Sequence, residues 1–481
     1  MNRSAMVWIP FLVITVEAVF SVPLLSWELA TGGGRVGAVW VILGATGSLC
    51  WVTWRWREKW SRILCGSATY LDSLSTRRWI GSCFLLGTAL RMVWAWRYPA
   101  PQHSDHATYF QLARMCLENH HYGFSNGGIA FWPPGYPFFL VAWFLVLGIH
   151  PWIPLLANFA LFGGILICVE RLTTRIAGSR AGKVSAALLV AWPTFVMTAI
   201  LASKEMLVLF LLCAAMLIFA NAQDSELRGR SFLSVILAGL LLGYACLTQP
   251  SVQLFPCVLL VYVCLRKQSY LRGFGQVLIV TLVLCAVVVP WTLRNHRVLG
   301  AWVPISTNGG DVFYRANNPL ATGGYTPRGE QSLEVYDEVN RGKVGFRLGK
   351  EWILSHPSQF FALALRKQML FLGDDAQGAF ETLKRGLGIG GLPYIVWKGV
   401  SNVYWLGLWL LILVALSVHW RGRLSQDPLL LTILLSIAYL YVIHSVFESG
   451  AKYHQPLMGY LAVVAALAFV KPNISRQNKG H

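Results

Sequence analysis

Apolar runs of about 20 residues recur along this chain from residue 5 to residue 470. About 20 consecutive apolar residues form a helix that can cross the hydrocarbon core of a bilayer. Only 13% of the 481 residues are charged, whereas about 25% are charged in an average soluble domain. The sequence therefore predicts an all-α polytopic membrane protein. It excludes a disordered chain, a nucleic-acid-binding domain and an ordinary cytosolic enzyme.

The formal net charge of +19 is explained by orientation, because Lys and Arg collect in the short cytoplasmic loops of membrane proteins. Placing these loops on one side gives about twelve spans, with both chain ends in the cytoplasm. The predicted spans are residues 5–25, 36–54, 79–98, 153–172, 184–200, 206–221, 232–248, 252–265, 276–291, 394–418, 429–447 and 455–470. The basic residues that set this orientation include Arg57, Arg62, Arg175, Lys183, Lys267, Arg272, Arg476 and Lys479.

Two further apolar segments are predicted to lie along the outer interface. Residues 135–149 and 356–372 are short, and a crossing at the first would move the basic loop with Arg175 and Lys183 outside. A spanning path for either segment remains the alternative. The predicted divisions are an N-terminal two-helix addition with a basic cytoplasmic loop (1–78), a catalytic core (79–292) with a first outer loop (99–152), a long outer loop (293–394), and C-terminal helices with a short tail (395–481).

Two acids at the predicted outer face are the candidate catalytic residues. Asp105 opens an amphipathic helical pattern, where the helix dipole favours an ionised carboxylate. Glu205 lies in the segment LASKEML, between two apolar runs. Two acids in one aqueous pocket can serve as a general base and as a metal ligand or acceptor-orienting group. A simple N-cap at Asp105 and a simple turn at Glu205 are the structural alternatives.

His103 and His106 flank Asp105, so a divalent metal is an open alternative, although ligands usually come from several elements. No cofactor is certain from the sequence. Arg91 is too deep in its span to reach the interface and is predicted to pair with an acid.

Basic residues at the same face are candidates for binding a lipid-linked phosphate, because Arg can grip a phosphate with two hydrogen bonds. The candidates are Arg294, Lys367 and Lys452. For Arg366 and Lys367, snorkelling to the interface is the favoured alternative. The segment 306–325 is rich in Gly, Asn and Thr, which suits either sugar and phosphate binding or a flexible turn. Predicted substrate contacts come from Tyr109, Tyr136, Asn308 and Tyr453.

The order of short motifs along residues 79–470 resembles the GT-C superfamily of lipid-carrier-dependent glycosyltransferases. Its bacterial branch, which includes protein O-mannosyltransferases and the lipid A aminoarabinose transferase, looks most similar. The motifs are D-x-x-x-Y-F-x-x-A from Asp105, WPPGYPFF, SKE around Glu205, LTQP, PWTLRN, STNGG followed by NNP, and HP before a Lys-bearing segment.

The resemblance implies a GT-C-like helical bundle that transfers a sugar from a polyprenyl-phosphate carrier to a glycan, lipid or protein acceptor. It places Asp105 at the catalytic acid or base position and matches Glu205 to the second outer-face acid. The aminoarabinose transferase has a phosphate-binding Lys before its proline motif, where this chain has Phe131 and Trp132. Arg294, Lys367 or Lys452 is therefore expected to bind the donor phosphate instead.

The implied location is a bacterial inner membrane, with the active site facing the periplasm or cell exterior. The implied reaction is a single displacement with inversion, in which Asp105 acts as general base. An envelope-polysaccharide ligase or polymerase and a lipid or polysaccharide flippase are the competing functions. A flippase would favour polar residues within several spans and internal repeats, whereas the candidates here gather at one face.

Overall fold

The computed structural model describes residues 5–31, 36–124, 128–224, 228–266 and 270–472. The predicted loop residues Lys267, Arg476 and Lys479 lie outside these ranges. Within them the secondary structure is helical, and the one β-bridge joins Phe124 and Gly128. The all-α prediction is therefore confirmed for the described part of the chain.

The α-helices are numbered in chain order. They are α1 (Ala5–Thr31), α2 (Val36–Arg55), α3 (Arg57–Ser67), α4 (Thr76–Arg97), α5 (Ser104–Asn119), α6 (Gly135–Leu147), α7 (Ile153–Ala177), α8 (Ser179–Ala191), α9 (Pro193–Met197), α10 (Lys204–Asp224), α11 (Arg228–Thr248), α12 (Phe255–Arg266), α13 (Tyr270–Leu299), α14 (Asn308–Ala316), α15 (Glu338–Ser355), α16 (Pro357–Leu372), α17 (Gln377–Ala379), α18 (Gly391–His419), α19 (Pro428–Val446), α20 (Ala451–His454) and α21 (Met458–Ala466). A π-helical segment, Phe380–Gly386, follows α17.

Among the described residues, eight helices are long and apolar enough to cross a membrane: α1, α2, α7, α10, α11, α13, α18 and α19. A ninth span forms if α8 continues through the 60° bend before Pro193 to Ile200. The protein is thus a multi-pass membrane protein. The three other predicted spans are helical, but α4 carries four arginines, residues 250–266 are short, and residues 451–469 are divided into short helices. The count of twelve stays a prediction.

The two segments predicted to be interfacial form α6 and α16. Helix α6 has 13 residues, which at 1.5 Å per residue gives about 20 Å, less than the about 30 Å of a bilayer core. Helix α16 is absent from the long apolar helices of the described chain, and its Arg366 forms a two-point ion pair with Glu28 of α1. Both features favour the interfacial interpretation.

The bundle is built on close helix contacts around α10 and α11. Helix α10 packs against α7 and α11, and α11 packs against α13. A Cβ atom on Gly239 or Gly243 of α11 would lie 2.7 Å from the Cβ of Val283 or Val287 of α13. The two glycines, four residues apart, therefore allow the backbones to approach as small residues do between membrane helices.

The prediction that Arg91 pairs with an acid is wrong. Arg91 is fully buried in α4, and its guanidinium carbon lies 3.6 Å from the ring centroid of Phe162. It also donates a hydrogen bond of 2.8 Å to the carbonyl of Gly87. An aromatic face takes the place of the expected carboxylate because ring quadrupoles attract cations.

Candidate active site

Asp105 lies in the first turn of α5, which begins at Ser104. Ser104 has a φ of 50°, a left-handed conformation that is uncommon for a residue other than glycine. The residue before the helix is His103, so Asp105 is inside the first turn and is not the N-cap. Its Oδ2 atom lies 3.5 Å from Nζ of Lys452, and the Asp105 side chain is 40% exposed.

The charge state of Asp105 is set by opposing effects. Burial alone would raise the pKa of its carboxyl group, but nearby positive charge, led by Lys452 and then Lys204, outweighs burial and holds that pKa below its usual value. Asp105 is therefore ionised at neutral pH. An ionised carboxylate that is open to solvent can accept a hydrogen bond, and then a proton, from a hydroxyl group.

Glu205 is brought to the same place by the start of α10. Its Oε2 atom accepts a hydrogen bond of 2.8 Å from Ser203. Its negative charge favours the protonated form of both Lys204 and Lys452. Burial opposes the charge on Lys452, yet Tyr453, Asp105, Glu448 and Glu205 together raise its pKa above the usual range. We call Asp105, Lys204, Glu205, Glu448 and Lys452 the acid–lysine cluster.

Lys204 and Glu448 are the two members of the cluster that the sequence interpretation did not name as site residues. Glu448 accepts a hydrogen bond of 2.8 Å from the hydroxyl of Tyr453, and its Oε2 lies 3.7 Å from Nη2 of Arg315. The sequence feature that could have identified Glu448 is its position four residues before Lys452, in the segment ESGAKYH. Tyr453 and Lys452 are thus held by the turn that also carries Glu448.

The aromatic residues predicted to touch substrate form one wall beside the cluster. The buried ring of Tyr109 lies 5.6 Å from that of Tyr136 and 5.7 Å from that of Trp132. Nζ of Lys204 lies 6.0 Å from the Tyr109 centroid. The hydroxyl of Tyr136 is buried without a hydrogen-bond partner in the described chain, and the charge of Glu205 acts on it. Buried hydroxyls are usually paired, so the hydroxyl of Tyr136, whose side chain is 0% exposed, is an exception among the described residues.

Two of the three predicted phosphate ligands make contacts within the protein. Arg294 of α13 donates to the carbonyls of Ile129 and Tyr122, which lie between α5 and α6. Lys367 does not snorkel, because it is fully buried and donates to Asn317 and to the carbonyl of Val446, at 2.9 Å each. Burial lowers the pKa of Lys367 to about 7. Lys452 alone of the three lies in the acid–lysine cluster.

The Gly- and Asn-rich segment 306–325 uses its amides internally. Asn308 accepts a hydrogen bond of 2.9 Å from Ser306, and the side chains of Asn317 and Asn318 bond to neighbouring carbonyls. These contacts favour the turn interpretation for this segment. In the described chain, the polar contact of Asn308 leads to Ser306 and not to the acid–lysine cluster.

A potential metal-ligand group lies on the other side of Asp105. One ligand atom each from His103, His106 and Glu381 lies within 4.8 Å of the others. The sequence indicated both histidines as possible ligands. Glu381 is 278 residues from His103 along the chain, and no motif around it predicts metal binding. Two imidazoles and a carboxylate are a donor set that suits a transition-metal ion.

A second acid–base pair is sealed inside the bundle next to the cluster. Oδ1 of Asp375 lies 3.0 Å from Nε2 of His454, and the two side chains are 0% and 1% exposed. Asp375 also accepts a hydrogen bond of 2.7 Å from Trp192, and the ring of Trp405 stacks on His454 at 4.4 Å. Both side chains are buried within the described part of the chain. Their contacts connect α18, α20, the 374–376 turn and Trp192, which follows α8.

Comparison with known proteins gives similarity in structure alone. No protein-family model matches the chain, and no curated protein matches it. The solved structure of the archaeal oligosaccharyltransferase AglB from Archaeoglobus fulgidus, in complex with an inhibitory peptide and a dolichol-phosphate, matches with a TM-score of 0.52 and 11% identity. That match covers 83% of this chain and 50% of AglB.

Two further structures are similar. The A. fulgidus oligosaccharyltransferase tethered to an acceptor peptide matches with a TM-score of 0.51 and 13% identity, over 83% of this chain and 50% of the other. ArnT from Cupriavidus metallidurans bound to undecaprenyl phosphate reaches a TM-score of 0.43 at 12% identity, over 82% of this chain and 77% of ArnT. This chain spans about half the length of the oligosaccharyltransferase. Over that part the two chains share a fold, which is the GT-C-like fold that the sequence predicted.

Proposed function

We propose that this protein is a membrane glycosyltransferase that moves a sugar from a polyprenyl-phosphate donor to an acceptor hydroxyl at the outer, periplasmic face of a bacterial inner membrane. The observation that carries the proposal is the acid–lysine cluster, in which a half-exposed, ionised Asp105 lies 3.5 Å from Lys452. The fold is shared with an oligosaccharyltransferase whose structure holds a dolichol-phosphate.

In this proposal Asp105 is the general base. The acceptor hydroxyl attacks the anomeric carbon of the donor sugar, and the bond between that carbon and the phosphate oxygen breaks with inversion. The hydroxyl proton passes to the Asp105 carboxylate, and polyprenyl phosphate leaves with the bonding electrons. One positioned base is sufficient for such a single displacement, and base catalysis contributes about 10² to 10⁴ in rate.

Lys452 and Lys204 supply the positive charge that the departing phosphate requires. The negative charge of Asp105 favours the protonated form of both lysines, so both are close enough to Asp105 to interact with charge that develops beside it. Cations held in place before the reaction stabilise charge that develops in the transition state. In this proposal Glu205, at the start of α10, orients the acceptor, since a carboxylate accepts a hydrogen bond from a hydroxyl group.

The test is sugar transfer by the full-length protein in proteoliposomes that contain a panel of polyprenyl-phosphate sugars. The Asp105→Asn variant is expected to transfer about 100 to 10,000 times more slowly, because Asn cannot accept the proton. The matched control is Glu118→Gln, which changes an exposed acid of the same helix and is expected to retain the wild-type rate. Wild-type transfer by Asp105→Asn would contradict the assignment. Movement of intact donor across the vesicle without a transfer product would favour a flippase.

A further inference from the structure

We propose that His103, His106 and Glu381 form a binding site for a zinc-like divalent metal ion beside the acid–lysine cluster. The three residues come from two separate regions. His103 immediately precedes α5 and His106 lies in its first turn, and their rings lie 5.6 Å apart. Glu381 is provided by the π-helical segment, and its side chain is 7% exposed.

The hydrogen bonds of the two histidines leave one nitrogen of each ring for a metal. Nδ1 of His103 lies 3.0 Å from the carbonyl oxygen of Pro101, and Nδ1 of His106 lies 3.1 Å from that of Ala202. A carbonyl oxygen only accepts, so both Nδ1 atoms donate their protons. In each neutral ring the Nε2 atom then carries a free lone pair. A backbone carbonyl that fixes the ring in this way is the usual outer partner of a metal-binding histidine.

When Nδ1 of His103 carries the single proton of the neutral ring, the contact between His103 and Glu381 requires a cation. Nε2 of His103 lies 2.7 Å from Oε2 of Glu381, and a lone pair facing a carboxylate at that distance is repulsive unless a cation lies between or beside them. The cation is either a second proton on His103 or a metal ion. The presence of the second imidazole, His106, with its ring 5.6 Å from that of His103, favours the metal, because a simple ion pair has no use for it.

The other oxygen of Glu381 is already oriented. Its Oε1 accepts a hydrogen bond of 2.8 Å from Gln377 and a longer one of 3.4 Å from Arg385. These contacts hold the carboxylate so that Oε2 faces the histidines. A ligand atom that is oriented by outer hydrogen bonds binds metal more tightly. All three ligands of the proposed site therefore have a fixing contact on the side away from the ion.

The donor set determines the class of ion. Two imidazole nitrogens and one carboxylate oxygen, with a further position open, suit Zn²⁺ and related first-row ions, whereas Mg²⁺ and Ca²⁺ prefer oxygen ligands only. The ion would join the first turn of α5, which carries Asp105, to the π-helical segment. Its proposed role is to position Asp105, and this inference does not depend on the sugar-transfer reaction.

Metal binding by the purified full-length protein in detergent tests the site directly. Metal-free protein is dialysed against Zn²⁺ and analysed by mass spectrometry for bound metal, with Mg²⁺ in a parallel sample. We expect about one Zn²⁺ per chain at saturation and no Mg²⁺. His106→Gln and Glu381→Gln are expected to weaken Zn²⁺ binding at least tenfold. His121→Gln, which alters an exposed histidine just beyond the same helix, is the matched control and should bind as wild type does.

A second measurement keeps the test decisive if a variant fails to fold. Co²⁺ bound to the wild-type protein should show the visible bands of nitrogen and oxygen coordination, and Zn²⁺ should displace them. Wild-type protein without stoichiometric Zn²⁺ or a Co²⁺ spectrum would overturn the proposal and assign the cation to a proton on His103. Undiminished Zn²⁺ binding by a folded Glu381→Gln variant, or equal loss in His121→Gln, would also overturn it. None of these outcomes requires sugar transfer, so failure here is distinct from failure of the proposed function.

Discussion

Two aspartates pair with bases that lie only two residues apart on α20, yet the two pairs have opposite surroundings. The Asp105–Lys452 pair has side chains 40% and 32% exposed, with 3.5 Å between the charged atoms. The Asp375–His454 pair has side chains 0% and 1% exposed, with Trp192 and Trp405 closing around it. A substrate can reach the first pair and cannot reach the second.

The carboxyl groups respond to these surroundings in opposite directions. Burial is the dominant effect on Asp375 and raises its pKa even though His454 and Trp192 act in the opposite sense. At Asp105 the neighbouring cations outweigh burial and lower the pKa. The comparison shows what makes Asp105 the candidate catalyst and not Asp375. Asp105 is partly exposed, and neighbouring lysines keep its carboxylate ionised. The sealed pair is a buried contact that joins α20 to the 374–376 turn.

The largest effect on stability is expected at the sealed pair. Asp375→Ala leaves the buried indole N–H of Trp192 and Nε2 of His454 without their shared partner. This loss should cost about 2–5 kcal/mol of unfolding free energy. Thermal unfolding in detergent measures this loss as a lower Tm. The rate of sugar transfer per folded molecule should stay close to wild type. A transfer rate that collapses in a variant with an unchanged Tm would assign the chemistry to the sealed pair instead.

The exposed pair is tested by the pH dependence of transfer. Lys452 lowers the pKa of Asp105, so the wild-type enzyme should lose activity only when the pH falls below the ordinary Asp range. In Lys452→Met that pKa rises, because the largest opposing charge is removed. Protonation then begins at higher pH, and the acid limb of the pH–rate profile moves upward.

The same substitution should lower the rate at neutral pH by about tenfold or more, because the cation that faces the phosphate is lost. Lys350→Met, which changes an exposed lysine on α15, is the matched control. An acid limb at the same pH in Lys452→Met and wild type would show that Asp105 does not govern the profile.

A smaller effect is expected at Lys367, a buried cation whose ammonium group is held by two neutral oxygens. Its pKa is lowered to about 7 in the folded protein, against about 10.4 in an unfolded chain. Between these values the unfolded state binds more protons, so the free energy of unfolding rises with pH. The Tm of the wild type, compared with that of Lys367→Met, should rise by a few degrees from pH 7 to pH 10. A constant difference across this range would mean that Lys367 stays protonated in the folded protein as it does in the unfolded chain.

The sequence predicted the helical architecture well because the apolar period and the charge of the loops are local properties. The break before Pro193 and the division of residues 451–469 were missed. Both depend on packing within the bundle, which an apolar run does not specify. Arg91 shows the same limit, since a buried guanidinium can be stabilised by aromatic rings from distant helices as well as by an acid.

The candidate site was predicted in part. Asp105, Glu205 and Lys452 come together in the structure, and each lies at the start of a helix or just after a predicted span. Glu381 and Asp375 could not be found from the sequence, because their partners His103 and His454 are 278 and 79 residues away. The inward contacts of Lys367 and Arg294 also depend on tertiary structure, since a basic residue near an interface has the same local pattern whether it binds protein or lipid.

Binding of undecaprenyl phosphate to the full-length protein, measured by native mass spectrometry from detergent, tests the central claim most directly, because it does not require the sugar to be known. The exposed acid–lysine cluster is predicted to bind the lipid phosphate through Lys452. Lys452→Met should therefore weaken binding about tenfold or more, while Asp105→Asn and the control Lys350→Met bind at least as tightly as wild type. Equal binding by wild type and a folded Lys452→Met variant would contradict the account.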